Sequence, residues 1–241
     1  MLFALAFALA VQAPAIESGV AGVLKDEAGR PLAHAKVLAC MTKVCLIGET
    51  GADGRFSFSI NPPVNLVIKT EEDLTSSPRR GAAMMPVRLV DRRLVDVGVV
   101  LVPNLPPERP SNPGASDRQT VELGDGLQLT LSRKALTPRP GDAILDLAAR
   151  RLPGPYPALG PERIIAIYAL HPFAAKSATP IAVRMLSSLP AGTPVRFRTI
   201  NEIDGTFSAP VPGQAGGRYL RTDPGTGITE LTYLVISRAG R

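Results

Sequence analysis

The sequence predicts an all-β protein of two β-sandwiches joined by a Pro-rich linker, and three observations carry that expectation. Short apolar runs recur at intervals of about 8–12 residues with no helical period between them. Gly and Pro, 22 and 24 of the 241 residues, exceed the usual background and fall at the ends of those runs. A stretch at 103–116, with five prolines and almost no apolar content, divides the chain into two strand-rich parts.

In the first part, Val20 to Leu24 alternates and then meets Asp26-Glu27-Ala28-Gly29, a turn signal. Strands are expected next at 35–39 and 44–50, and the turn Gly51-Ala52-Asp53-Gly54 follows. Residues 55–60 alternate strictly, placing Phe56, Phe58 and Ile60 on one face, and Pro62-Pro63 ends that strand. Runs at 64–69, 87–90 and 95–102 complete seven strands. The segment 71–85 is long and polar, reads as a mobile loop, and carries Arg79 and Arg80 near its tip.

In the second part, strands are expected at 127–131, 164–170, 181–186, 195–200, 206–211 and 228–236. Residues 164–170 form a continuous apolar run of buried-strand length. Segment 142–152 carries both a helical cap with helical spacing and a strand-like composition, so helix and strand both stay open there. The linker adds few residues able to bury surface, and each half has its own alternating strands. The two are therefore expected to fold as beads on a semi-rigid string, with a chain ending near Pro106 and one starting near Ser116 each folding alone.

Residues 2–11 are an apolar stretch too short to span a bilayer, but of the length of a secretory h-region. Ala13-Pro14-Ala15 supplies the small residues a signal peptidase reads, and a cut after Ala15 avoids placing Pro14 beyond the scissile bond. Export is thus expected, with residues 1–15 as a signal peptide and no transmembrane segment in the mature chain. In an oxidising compartment the two cysteines, Cys40 and Cys45, are expected to pair across a four-residue hairpin loop, with Cα atoms about 5.5 Å apart.

Gly22-Val23-Leu24-Lys25-Asp26, followed by Gly29-Arg30-Pro31-Leu32 and Ala35-Lys36-Val37, resembles the opening of the carboxypeptidase regulatory-like domain, a prealbumin-like (transthyretin-like) sandwich. Thr50 to Phe56 is similar to that family's second signature, an Asp-Gly turn leading into an aromatic strand. Asp96 to Leu101 resembles its last strand. The resemblance spans about residues 17–103 and implies a fold, since each signature is a turn feeding an alternating strand. The second half is only loosely similar to β-sandwich domains of secreted bacterial proteins.

Composition narrows the chemistry. Two His and two Cys in the whole chain exclude a His-rich metal site and a Cys-rich zinc module. His34 and His171 lack a Gly-x-Ser-x-Gly elbow, and read as surface or strand-end residues. Asp53 reads as a turn former, because the clustered oxygen ligands of a calcium site are missing around it. None of the glycines forms a phosphate-binding strand-to-helix loop. The net charge of +6 is dispersed, with no basic run longer than the Arg79-Arg80, Arg92-Arg93 and Arg150-Arg151 pairs, which argues against nucleic acid.

The expected organisation is a signal peptide at 1–15, a regulatory-like sandwich at 16–103, a linker at 104–117 and a second sandwich at 118–241. The expected function is a non-enzymatic binding or structural protein, secreted or periplasmic. It is expected to have no cofactor, no metal and no catalytic residues, and its partner is a protein or polysaccharide of the cell envelope. The alternative is an accessory or inhibitory module of an extracellular peptidase or glycosidase.

Overall fold

The computed structural model describes residues 18–107, 109–110, 118–140, 146–154 and 162–238. The leader expected at 1–15 lies outside them, as does most of the linker.

The described chain is all-β. In the first half, β1 (Gly19–Asp26) lies between β4 (Arg55–Ser59), antiparallel, and β7 (Leu94–Val102), parallel. A second sheet has the order β3-β2-β5-β6, formed by β2 (Lys36–Met41), β3 (Val44–Glu49), β5 (Val64–Lys69) and β6 (Met84–Leu89). Val20, Leu24, Phe56, Phe58, Ile60, Leu66 and Ile68 fill the space between the two sheets. All seven expected strands are present, with Phe56 and Phe58 buried on one face as their alternation requires.

In the second half the strands are β8 (Arg109–Pro110), β9 (Arg118–Glu122), β10 (Leu127–Ser132), β11 (Leu136–Thr137) and β12 (Asp146–Arg151). They continue with β13 (Arg163–His171), β14 (Ala175–Leu186), β15 (Pro194–Thr199), β16 (Val211–Gly216), β17 (Tyr219–Thr222), β18 (Ile228–Leu231) and β19 (Tyr233–Arg238). Their pairing path is β8-β12-β13-β19-β15-β16-β17-β14-β10-β9, with β11 and β18 also paired to β14. This sheet curls so that opposite walls meet across one core, where Leu129, Val183 and Leu220 face Tyr168, Phe197 and Leu234.

Segment 142–152, where helix and strand both stayed open, forms the strand β12 within its described part. The single strand expected at 228–236 is two, β18 and β19, meeting at Thr232. The strand expected at 206–211 is reduced to a single antiparallel bridge, Phe207 opposite Ile200. The Asp204 carboxylate of the preceding turn accepts from the backbone N–H (3.0 Å) and hydroxyl (2.7 Å) of Thr206, and a continuous strand resumes at Val211.

The segment 71–83 is held by hydrogen bonds rather than free as a mobile loop would be. Asp73 and Arg80 exchange backbone hydrogen bonds of 2.9 Å, the Asp73 carboxylate caps the turn at Thr75 and Ser76, and Ala82 and Ala83 are buried. The start of the linker is tied to the same segment. Leu105 donates its N–H to the Arg79 carbonyl at 2.9 Å and is itself buried.

The expectation of separate beads is corrected by a third core. Leu38, Cys40, Val67, Ala82 and Met84 of the first half pack against Ala169, Phe173, Ala174, Ile200, Tyr233 and Val235 of the second. The β2–β5–β6 sheet is therefore covered on both faces, and so are β13 and β19. The chain stacks as four layers of sheet enclosing three cores. Burial on both faces explains why Val37 to Cys40, Leu66 to Ile68 and Tyr233 to Ile236 are apolar without alternation.

Candidate functional site

The junction between the halves gathers several ion pairs, some of them buried. Acids of the first half meet bases of the second. Glu27 accepts two hydrogen bonds from the Arg150 guanidinium, at 2.8 and 2.6 Å, the bidentate geometry that Arg favours. Glu71 pairs with Arg139 at 2.9 Å, and Glu72 contacts His171 Nδ1 at 2.8 Å. One pair runs the other way, with buried Lys69 donating to Glu202. Burial of the Glu230 carboxyl, on β18 opposite Lys176, pushes its pKa up.

Phe173 sits beneath two of these cations. Lys69 Nζ lies 5.9 Å and the Arg139 guanidinium 5.7 Å from its ring centre, within cation–π range. The Phe173 N–H donates to Glu72 at 3.4 Å. The ring is thus the apolar centre of a polar rim, the arrangement of a specific docking surface. Tyr233 lies alongside, and burial raises its phenol pKa, so the hydroxyl stays protonated.

Gly205 completes the junction. Its φ is +70°, and a Cβ there would stand 2.6 Å from the Leu66 carbonyl oxygen, so only glycine lets this turn rest on β5.

The disulfide lies at the edge of this junction. Cys40 and Cys45 are bonded and stand directly opposite each other on β2 and β3. The connecting turn is the two residues Thr42 and Lys43, shorter than the four-residue loop expected, because Met41 and Val44 also pair. The Cα atoms are accordingly 3.9 Å apart, closer than expected. Cys40 is fully buried in the shared core, whereas Cys45 is exposed.

The remaining singled-out residues take structural places. His34 is exposed and bonds Glu49 at 2.9 Å, while His171 ends β13, buried against Glu72. Asp53 accepts the Arg55 N–H at 3.0 Å, as a turn former does. Among the described residues, no three or more His, Cys, Asp or Glu side chains are grouped to hold a metal ion. No described helix is long and apolar enough to cross a membrane.

A further charged cluster belongs to the second half alone and was not read from the sequence. Glu162 is buried among Arg196, Arg198 and Ser237. Burial alone would raise its carboxyl, but hydrogen bonds from Arg198, Ser237 and Arg196 outweigh it and bring the pKa to about 2. Arg196 and Arg198 sit two apart on β15, which puts both on the same face, and the alternation of Val195, Phe197 and Thr199 into the core was the available signal.

No family model matches this chain, and no curated protein matches it. A solved structure of a streptococcal ancillary pilin is similar at 10% identity and a TM-score of 0.29, over 92% of this chain and 64% of that one. The chain thus spans less than two thirds of that protein's length, and the fold described above rests on strand pairing and cores alone.

Proposed function

We propose that this is an exported, non-enzymatic protein of the bacterial periplasm or cell surface. In this reading, two sandwiches are held as one rigid body whose outer faces serve binding or structure. The Cys40–Cys45 disulfide carries the proposal, because such a bond persists in oxidising compartments and is rare in reducing ones. The apolar stretch at 2–11 and its Ala13-Pro14-Ala15 site supply the route out. The reading divides the chain into a leader at 1–15, a first sandwich at 16–103, a linker at 104–117 and a second sandwich at 118–241.

The first sandwich is read as a carboxypeptidase regulatory-like module. In support, Gly22 to Asp26 lies within β1, Thr50 to Phe56 makes the turn into β4, and Asp96 to Leu101 lies within β7. The charges of the junction are spent on one another, which favours a mechanical role for it.

Expression with the native leader in a bacterial host tests the reading. The mature chain is expected outside the cytoplasm, starting at Ile16, with no thiol available to a label after denaturation without reductant. An intact Met1 in the cytoplasm with two labelled thiols would overturn it. Cys40→Ser is expected to fold but to lose about 2 kcal/mol, since the bond closes only a short loop; chemical denaturation measures this.

A further inference from the structure

The curled sheet of the second half has an outward face over β9, β10, β14, β17 and β16. Strand register aligns one row of side chains across it. Glu122 stands opposite Gln128, Gln128 opposite Arg184, Arg184 opposite Arg221, and Arg221 opposite Gln214. At about 4.8 Å per strand, the four residues from Gln128 to Gln214 span about 14 Å.

Two features set this row apart, its charge and its order. Like charges directly opposite each other in a sheet are destabilising, yet Arg184 and Arg221 are such a pair. Neither guanidinium forms an ion pair with a carboxylate among the described residues. Both are exposed, and Arg218 in the β16–β17 turn adds a third positive charge at one end. The nearest acid along the row, Glu122, is engaged by Gln128 at 2.7 Å. On the β17 side, Asp223 lies two residues beyond Arg221.

The second feature is order. The Arg184 guanidinium rests 3.4 Å from the centre of the Tyr219 ring, which holds a long side chain in one place on an open surface. A pre-set fork loses less entropy when it grasps a planar anion. Thr120, Thr130 and Ala182 beside the row are small, so the face is open to an extended chain.

We propose that this row binds an acidic polysaccharide, its carboxylates gripped by Arg184 and Arg221 and its hydroxyls by Gln128 and Gln214. The proposal rests on the reading of the chain as an envelope binding protein and names the class of its partner. Single-stranded nucleic acid fits less well, since base stacking needs open aromatic faces and Tyr219, beside the row, already carries a guanidinium on its ring. The overall charge of +6 adds long-range attraction for a polyanion but gives no selectivity by itself.

Titration calorimetry of the full mature chain with polygalacturonate, dextran sulfate, neutral dextran and duplex DNA tests this. Polygalacturonate is expected to bind, neutral dextran not to, and the other two polyanions to bind more weakly. Arg184→Ala and Arg221→Ala should each weaken polygalacturonate binding at least tenfold. Arg221→Lys, which keeps the charge and loses the fork, should weaken it several-fold. Arg221→Ala should melt no lower than the parent, because it removes a repulsion, and Arg221→Lys, which keeps the charge, should melt as the parent does.

No binding of polygalacturonate, binding unaffected by the alanine variants, or parent-like affinity in Arg221→Lys would each overturn the site. Tighter binding of dextran sulfate or DNA would overturn the uronate assignment. Any of these results in a protein still found oxidised outside the cytoplasm would sink the site alone. A reduced cytoplasmic chain would sink the broader reading instead.

Discussion

Phe173→Ala is expected to lower the stability of the whole chain by about 3–5 kcal/mol, as loss of a buried ring does. Phe173 is 1% exposed and lies in the core shared by the two halves. Its removal opens a cavity against Val67 and Met84 of the first half, and against Ala169 and Val235 of the second. It also strips Lys69 and Arg139 of the ring between them. Both cations are drawn out of water at the junction, so the loss falls on partially desolvated charge. Chemical denaturation measures the total. Hydrogen exchange locates it, and amides of β5 in the first half should lose protection along with those of β13. Leu74→Ala, at a 41% exposed position on the 71–83 segment, is the control, with an effect within about 0.5 kcal/mol.

The second large effect concerns Glu162. Its carboxyl has a pKa of about 2 in the folded chain, against 4.5 for an ordinary glutamate. A group whose pKa is depressed on folding stabilises the fold above its unfolded pKa, and that stability is lost as pH falls through the folded value. The full contribution, about 3 kcal/mol, is therefore present above roughly pH 5 and disappears towards pH 2. Glu162→Gln should lose stability at pH 7 and show a flatter dependence between pH 5 and 2 than the parent. Identical slopes in denaturation across that window would contradict the assignment. Glu162→Ala should cost more, about 3–5 kcal/mol, because it leaves the mostly buried Arg198 guanidinium without its carboxylate.

The strands were the most legible part of the sequence. Period-two alternation at 55–60 and 127–131, closed by Gly and Asp turns, translates directly into strands with one buried face. Turn chemistry was legible for the same reason, since Asp26 and Asp53 bond nearby backbone amides whatever the rest of the chain does. Short strands were harder. β16 and β17 contain Pro212, Gly213, Gly216 and few large apolar residues, so pairing with neighbours decides them rather than local pattern.

The docking of the halves was the part least open to sequence reasoning. The run at 164–170 was read as a buried strand, but a run without alternation says that both faces are covered, not by what. Val37 to Cys40 and Leu66 to Ile68 carry the same message in the first half, and matching these three runs is what defines the junction. Its ion pairs join residues as far apart as Lys69 and Glu202, and no spacing rule links them. The exposed row through Arg184 and Arg221 was hidden likewise, because only strand register brings the two arginines together.

The core around Phe173 is expected to make the two halves one cooperative unit. Differential scanning calorimetry of the oxidised chain tests this. One transition is expected, with calorimetric and van't Hoff enthalpies in agreement, and a chain ending at Pro106 should melt lower or aggregate, since it exposes Leu38, Val67 and Met84. Two resolved transitions, each matching a separately produced half, would contradict it.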